Sequence, residues 1–247
     1  MKTTSQNPPA SKLGRLTIRR GVAVGISIVI GMSMFHQAEA SSLLNINFGQ
    51  NESPTKVGFA AVGETANDFW NFYTRDGAGG WLTYGTLTDL KLADGTTTAM
   101  GVTLTVDNAP GSWGNGSSDP MYNNYLYPFS GIATIALTNM LAGQYDLYVY
   151  SHDGNYHLDA GGTDMGTLTC NDPSPAGVPI WQEGRQYVRF GGISVNAGDD
   201  VTLTVNSGLV DGFAVISGMQ LVAVPEPSSM AIVLSAIGAA TLARKRT

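Results

Sequence analysis

Leu141-Ala142-Gly143-Gln144-Tyr145-Asp146-Leu147-Tyr148-Val149-Tyr150 reads as a tight turn running directly into a strand. Gly143 supplies the turn, and the run from Tyr145 to Tyr150 is rich in the aromatic and branched side chains that pleated sheets favour. The same grammar extends in both directions. Upstream lie Leu44-Asn45-Ile46-Asn47-Phe48, Val102-Thr103-Leu104-Thr105-Val106 and Ile132 to Thr138, each alternating apolar with polar or small residues. Downstream, Gln186 to Phe190 and Ile193 to Val195 flank a Gly191-Gly192 bend. The turn Asn196-Ala197-Gly198-Asp199 then leads into Val201-Thr202-Leu203-Thr204-Val205, and Phe213 to Val224 closes the series. Between residues 41 and 224 no sustained helical stripe appears, and Thr65 to Tyr73 is expected to make one short helical turn. Short strands with turn signals at intervals of about 10 residues predict an all-β, antiparallel sandwich of jelly-roll type.

Composition narrows the function. The chain has 31 glycines and only 13% charged residues. The basic residues concentrate at the two ends, so residues 41–224 hold five Lys or Arg against 17 Asp or Glu, a net charge of −12. Nucleic acid, which needs a basic footprint, is excluded as a partner on this balance. Cys170 is the single cysteine, so no internal disulfide can form, and it is expected to behave as a small, partly buried apolar residue.

Three stretches interrupt the strand rhythm: Gln50 to Gly85, Asn108 to Phe129 and Ser151 to Gly184. All are rich in aromatics, which argues against disorder. The middle one is the best ligand candidate. Sugar rings have apolar C–H faces that stack on aromatic rings, and their hydroxyls pair with amides and carboxylates. Trp113, Tyr122 and Tyr125 supply rings, and Asn123 and Asn124 supply amides. The alternative is that these side chains pin a long loop to the sandwich. Trp70 and Trp81 lie in more apolar surroundings and are expected in the core. In the third stretch Asp153, Asn155 and Asp159 (or Asp164) could supply oxygen ligands for a Ca²⁺ ion, but the EF-hand pattern is missing and solvated turn carboxylates are the favoured reading. His152 and His157 are five apart, which is not zinc spacing.

Catalytic signatures are absent: there is no Gly-x-Ser-x-Gly elbow, phosphate loop or His-Glu-x-x-His. Glu52, Glu64 and Glu183 are the only glutamates between residues 41 and 224. The expectation is a protein without enzymatic activity and without a cofactor, Ca²⁺ apart.

The ends carry an address. Lys2, Lys12, Arg15, Arg19 and Arg20 precede an apolar stretch from Gly21 to Phe35, and Ala38-Glu39-Ala40 has the small-x-small form of a signal peptidase site. Cleavage there leaves Ser41 first. Gly21-Val22-Ala23 after Arg19-Arg20 lacks the bulky pair of a twin-arginine leader, which points to the general secretion translocon. At the other end come Pro225-Glu226-Pro227, an apolar run from Met230 to Leu242, and Arg244-Lys245-Arg246. The run is shorter than the roughly 20 residues that span a bilayer comfortably. Its basic end belongs on the cytoplasmic side.

Motif, short helix and basic tail in that order closely resemble the PEP-CTERM sorting signal of Gram-negative bacteria. The resemblance covers about residues 224–247. It implies export, a transient stay in the inner membrane, recognition and cleavage by an exosortase, and delivery to the cell surface or extracellular matrix. The Leu141–Tyr150 pattern, the final strand of small and apolar residues and the opening Ile46-Asn47-Phe48-Gly49 are similar in pattern to jelly-roll carbohydrate-binding modules of the malectin-like and galactose-binding-like kind. The domains expected are therefore a signal peptide at 1–40 with its helix, a β-sandwich at 41–224, and a sorting signal at 225–247 with a transmembrane helix. Two functions follow: a non-enzymatic surface or biofilm-matrix protein, or a carbohydrate-binding module that takes an extracellular polysaccharide through the aromatic loop.

Overall fold

Strict alternation organises β1 (Leu43–Gly49): Leu44, Ile46 and Phe48 enter the main apolar core, while Asn45 and Asn47 face the other way. The computed structural model describes residues 42–50, 54–74, 85–108 and 110–225. The expected leader with Ala38, Ala40 and Ser41, the tail from Glu226 through Arg244, Lys245 and Arg246, and Trp81 lie outside the described residues.

Strand β1 belongs to a five-stranded sheet. Its order is β11 (Tyr187–Val195), β8 (Gly143–Tyr150), β13 (Gly218–Val224), β1 and β2 (Asn71–Thr74). A second sheet has six strands: β10 (Thr163–Asn171), β9 (Asp153–Ala160), β12 (Val201–Asn206), β7 (Ala133–Thr138), β4 (Gly101–Val106) and β3 (Thr86–Leu87). Leu147, Val149 and Leu221 from the first sheet meet Leu104, Ile135, Leu158 and Leu203 from the second in one buried cluster. Each such side chain contributes about 1.5–3 kcal/mol by leaving water. The described domain is a nearly all-β sandwich, as its alternating strands predict.

Three expectations need correction. Among the described strands, pairing is antiparallel except at one edge, where β2 runs parallel to β1. Thr65 to Tyr73 forms no helix. Asp68 instead accepts the backbone N–H groups of Glu64 and Thr65 in a turn, and Asn71 begins β2. The Asn71 side chain bonds Lys91 N, Lys91 O and Asn45 O, which ties this edge to the neighbouring loop. The region 151–184, expected as an irregular loop, contains β9 and β10. Its alternation is masked by polar residues: Gly154, Tyr156, Leu158 and Ala160 are buried, while Asn155, His157 and Asp159 are less so.

Cys170 is fully buried in the main core, where burial raises its thiol pKa. Among the described residues, no helix is long and apolar enough to cross a membrane. Both ends of the described domain lie together, because Ala223 N donates to Ser42 O at 2.8 Å.

Candidate functional site

Between β4 and β7 the chain leaves the sandwich and builds a two-stranded hairpin, β5 (Pro110–Gly114) and β6 (Asn124–Pro128). The short helix α1 (Pro120–Asn123) joins them. Asp119 caps α1 by accepting the N–H groups of Met121 and Tyr122, and Pro120 fits the first helical position, where no N–H is needed. Lys56, itself nearly buried, pairs with the Asp119 carboxylate. Leu126 points into the main core and exchanges two backbone hydrogen bonds with Ile216, at 2.9 and 3.0 Å. This fixes the hairpin to the chain just ahead of β13.

Alternation along β6 then puts Tyr125 and Tyr127 on the face opposite Leu126. Trp113 pairs with Tyr125, and Gly111 with Tyr127. The Tyr127 ring lies on Gly111, where a Cβ would come within 2.4 Å of the ring. Trp113, Tyr125, Tyr127, Asp211 and Phe213 line an open cleft of about 350 Å³. Tyr127 joins the rings: it meets Tyr125 at 5.9 Å and Phe213 at 5.0 Å within the cleft, and Phe129 beside it at 5.5 Å. Trp113 is 63% exposed, and Phe129 and Phe213 are also open to solvent.

The opposite wall is the 207–213 loop, which Asp153 shapes. Its carboxylate accepts the N–H groups of Leu209, Val210 and Asp211 at 2.9, 2.7 and 2.8 Å. Asn155 Nδ2 donates to Ser207 O. Asp211 is held in turn: His152 Nε2 lies 2.5 Å from its Oδ2, and the Tyr125 hydroxyl donates to the same oxygen at 3.5 Å. Behind it, Asn115 Nδ2 lies 3.5 Å from His152 Nδ1. Burial, with Asp211 nearby, raises the pKa of the Tyr125 phenol far above its usual 10, so the group is a donor.

The five expected sugar-binding residues divide. Trp113 and Tyr125 line the cleft. Tyr122 is 0% exposed and belongs to a second cluster with Trp70, Met121 and Tyr150. Its hydroxyl donates to Asp172 Oδ2 at 3.0 Å, and its ring meets Trp181 edge-on at 5.6 Å. Asn124 is buried, with its amide donating to Pro120 O, and Asn123 Oδ1 accepts Gly116 N, closing the β5–α1 connection. These three build the hairpin and do not line its cleft.

The Ca²⁺ set does not converge either. Asp153 and Asp159 lie on one strand, about 20 Å apart at roughly 3.3 Å per residue. Asp153 is committed to the 209–211 backbone, Asn155 to Ser207, and Asp159 to Gly162 N. Among the described residues, no three His, Cys, Asp or Glu side chains gather as metal ligands. Sequence reasoning missed Tyr127, Asp211 and Phe213 as site residues. The every-second-residue spacing of Tyr125, Tyr127 and Phe129 is a strand signal that points to the shared ring face.

No protein-family model matches the sequence, and none of the curated proteins compared with it does. Among solved structures, the chain is similar to the Bacillus subtilis protein YXIM, with 10% identity and TM-score 0.39 over 74% of this chain and 40% of that one. It is also similar to the ANX2 ectodomain from Arabidopsis thaliana, with 9% identity and TM-score 0.37 over 75% and 51%. An exo-beta-1,3-galactanase from Phanerochaete chrysosporium matches at 15% identity and TM-score 0.27 over 52% and 31%. The chain thus spans about half or less of the length of each of these structures.

Proposed function

We propose that this protein is an exported, non-enzymatic β-sandwich that binds a polysaccharide outside the cell through the Trp113–Phe213 cleft. The observation that carries this reading is Trp113: 63% exposed, yet fixed on a capped and core-anchored hairpin beside Tyr125 and Tyr127. A pre-ordered, contiguous apolar face is what a sugar ring needs for stacking without a large ordering cost. Asp211 offers polar pairing at its edge.

Binding is favoured over hydrolysis by the supply of carboxylates. Glycosidases use two, about 5–10 Å apart. Asp211 is the only carboxylate among the described residues that line the cleft, and neighbouring Asp153 is fully buried and engaged by three backbone donors. The strand order supports a jelly-roll reading, with β1-β13-β8-β11 facing β7-β12-β9-β10. The ligand hairpin then sits in the long connection between the first and second strands of the roll. Residues 225–247 give the address: the inner membrane and an exosortase in transit, then the surface or matrix of a Gram-negative cell. Binding a polysaccharide there makes the protein a matrix component as well, so the two functions read from the sequence merge.

The test is retention. The exported protein should be held by an extracellular polysaccharide matrix and by purified polysaccharides in sedimentation or affinity electrophoresis, and Trp113→Ala should release it. Failure of the parent protein to bind any polysaccharide would overturn the reading.

A further inference from the structure

We infer that the cleft selects neutral sugars and rejects uronic-acid or sulfated ones, with Asp211 as the residue that decides. The inference rests on the polysaccharide-binding reading above and deepens it. Asp211 is one-third exposed, with a side-chain exposure of 31%, and it lines the cleft beside Trp113, Tyr127 and Phe213. Its two oxygens are not equivalent. Oδ2 takes both donors, His152 Nε2 and the Tyr125 hydroxyl. No donor among the described residues reaches Oδ1. An ionised carboxylate has about four acceptor sites, so a fixed Asp211 retains acceptor capacity at the edge of an aromatic platform.

That acceptor is positioned from behind. Asn115 backs His152, His152 holds Asp211, and the Asp153 carboxylate holds the Asp211 backbone N–H. Asn115, His152 and Asp153 are positioning residues; Asp211 is the one expected to touch ligand. The matching ligand group is a hydroxyl, which can donate to a carboxylate while the ring stacks on the neighbouring aromatics.

Among the described residues, no Lys or Arg lines the cleft to compensate an anion. Of the basic side chains among the described residues, Lys56, Arg185 and Arg189 are paired with Asp119, Asp172 and Asp146. Lys91 lies over Phe69. None lines the cleft. A uronate or sulfate brought against Asp211 would meet a like charge in a domain whose net charge is −12 over residues 41–224.

The experiment uses the exported protein as released from its host, in affinity electrophoresis against neutral polymers (dextran, β-1,3-glucan, galactan, xylan) and acidic ones (alginate, polygalacturonate). The expected result is retention by at least one neutral polymer and by neither acidic one. Asp211→Asn should weaken the neutral interaction about ten- to 100-fold, the loss of one charge-assisted hydrogen bond. It should also admit the acidic polymers. A fold defect in that variant is bypassed by a salt series on the unmodified protein. Neutral retention should be insensitive to salt, while rejection of alginate should relax as salt screens the repulsion. Retention of alginate or polygalacturonate by the parent protein, abolished by Trp113→Ala, would overturn the inference and leave the polysaccharide reading standing. Neutral retention unaffected by Asp211→Asn, with the acidic polymers still rejected, would also overturn it. Retention of no polymer would overturn both.

Discussion

Replacing Trp113 and Trp70 separately with alanine distinguishes a binding platform from a structural ring. Trp113 is 63% exposed, so about a third of a tryptophan's roughly 250 Å² is shielded, near 90 Å². At about 25 cal/mol per Å² this sets a ceiling near 2 kcal/mol on its contribution to stability, and the alanine methyl recovers part of it. Trp70 is 2% exposed, packs with Tyr150 and Met121, and donates from Nε1 to Gly58 O at 2.8 Å. Its truncation should cost about 3–5 kcal/mol for the cavity, plus about 1 kcal/mol or more for the orphaned carbonyl. Denaturant unfolding should therefore show Trp70→Ala severely destabilised and Trp113→Ala near the parent protein. Polysaccharide retention should behave in the opposite sense. Trp113→Ala should lose about 1–3 kcal/mol of binding if sugar stacking resembles base stacking on aromatics. Equal destabilisation by the two substitutions would refute the argument, because Trp113 would then be part of the packing.

Gly111→Ala should push Tyr127 off the strand surface, because the added Cβ would sit 2.4 Å from the ring, and should cost about 1–3 kcal/mol of stability. Near-ultraviolet circular dichroism and retention assays would register the displaced ring. Asp153→Ala removes the acceptor for three backbone donors, so hydrogen exchange at Leu209, Val210 and Asp211 should accelerate, and polysaccharide retention should fall with it. Burial opposes ionisation of Asp172, but hydrogen bonds from Arg185, Ser174 N, Gln186 and Tyr122 outweigh it and hold the carboxyl below its ordinary 3.8. A lowered folded-state pKa stabilises the protein above the unfolded value and is lost as pH falls through the folded one. Melting temperature should therefore drop below about pH 4, and Asp172→Asn should flatten that part of the profile. Mass spectrometry of surface-released protein should find no peptide containing Arg244-Lys245-Arg246; a mature chain that retains them in the inner membrane would refute the sorting proposal.

The sandwich was legible where apolar and polar residues alternate plainly, as in Leu44 to Phe48 and Val201 to Val205. It was obscured in β9, whose less buried positions are Asn155, His157 and Asp159, residues that also serve turns. The parallel edge strand β2 depends on the Asn71 side chain bridging to Lys91 and Asn45, a tertiary contact with no local signature. In the site, the aromatic content of 108–129 identified the right segment. Spacing within it could not separate Tyr125, on the hairpin face, from Tyr122, whose helix turns it inward to Asp172. Asp211 was invisible for another reason. Its place depends on a carboxylate 58 residues earlier in the chain that gathers the loop around itself.

The bond between Ala223 N and Ser42 O brings the two ends of the sandwich to one pole. From the hairpin junction at Ile216 to Val224, the chain runs about eight residues in nearly extended form, roughly 25 Å at 3.3 Å per residue. A protein tethered beyond Val224 would therefore hold the hairpin junction about that distance along β13 from its attachment point. The same geometry makes the domain a plug-in part. A fluorescent protein or surface anchor fused at either end should leave the cleft accessible. A short linker from Val224 back to Ser42 should allow new termini to be opened in an exposed turn on another side.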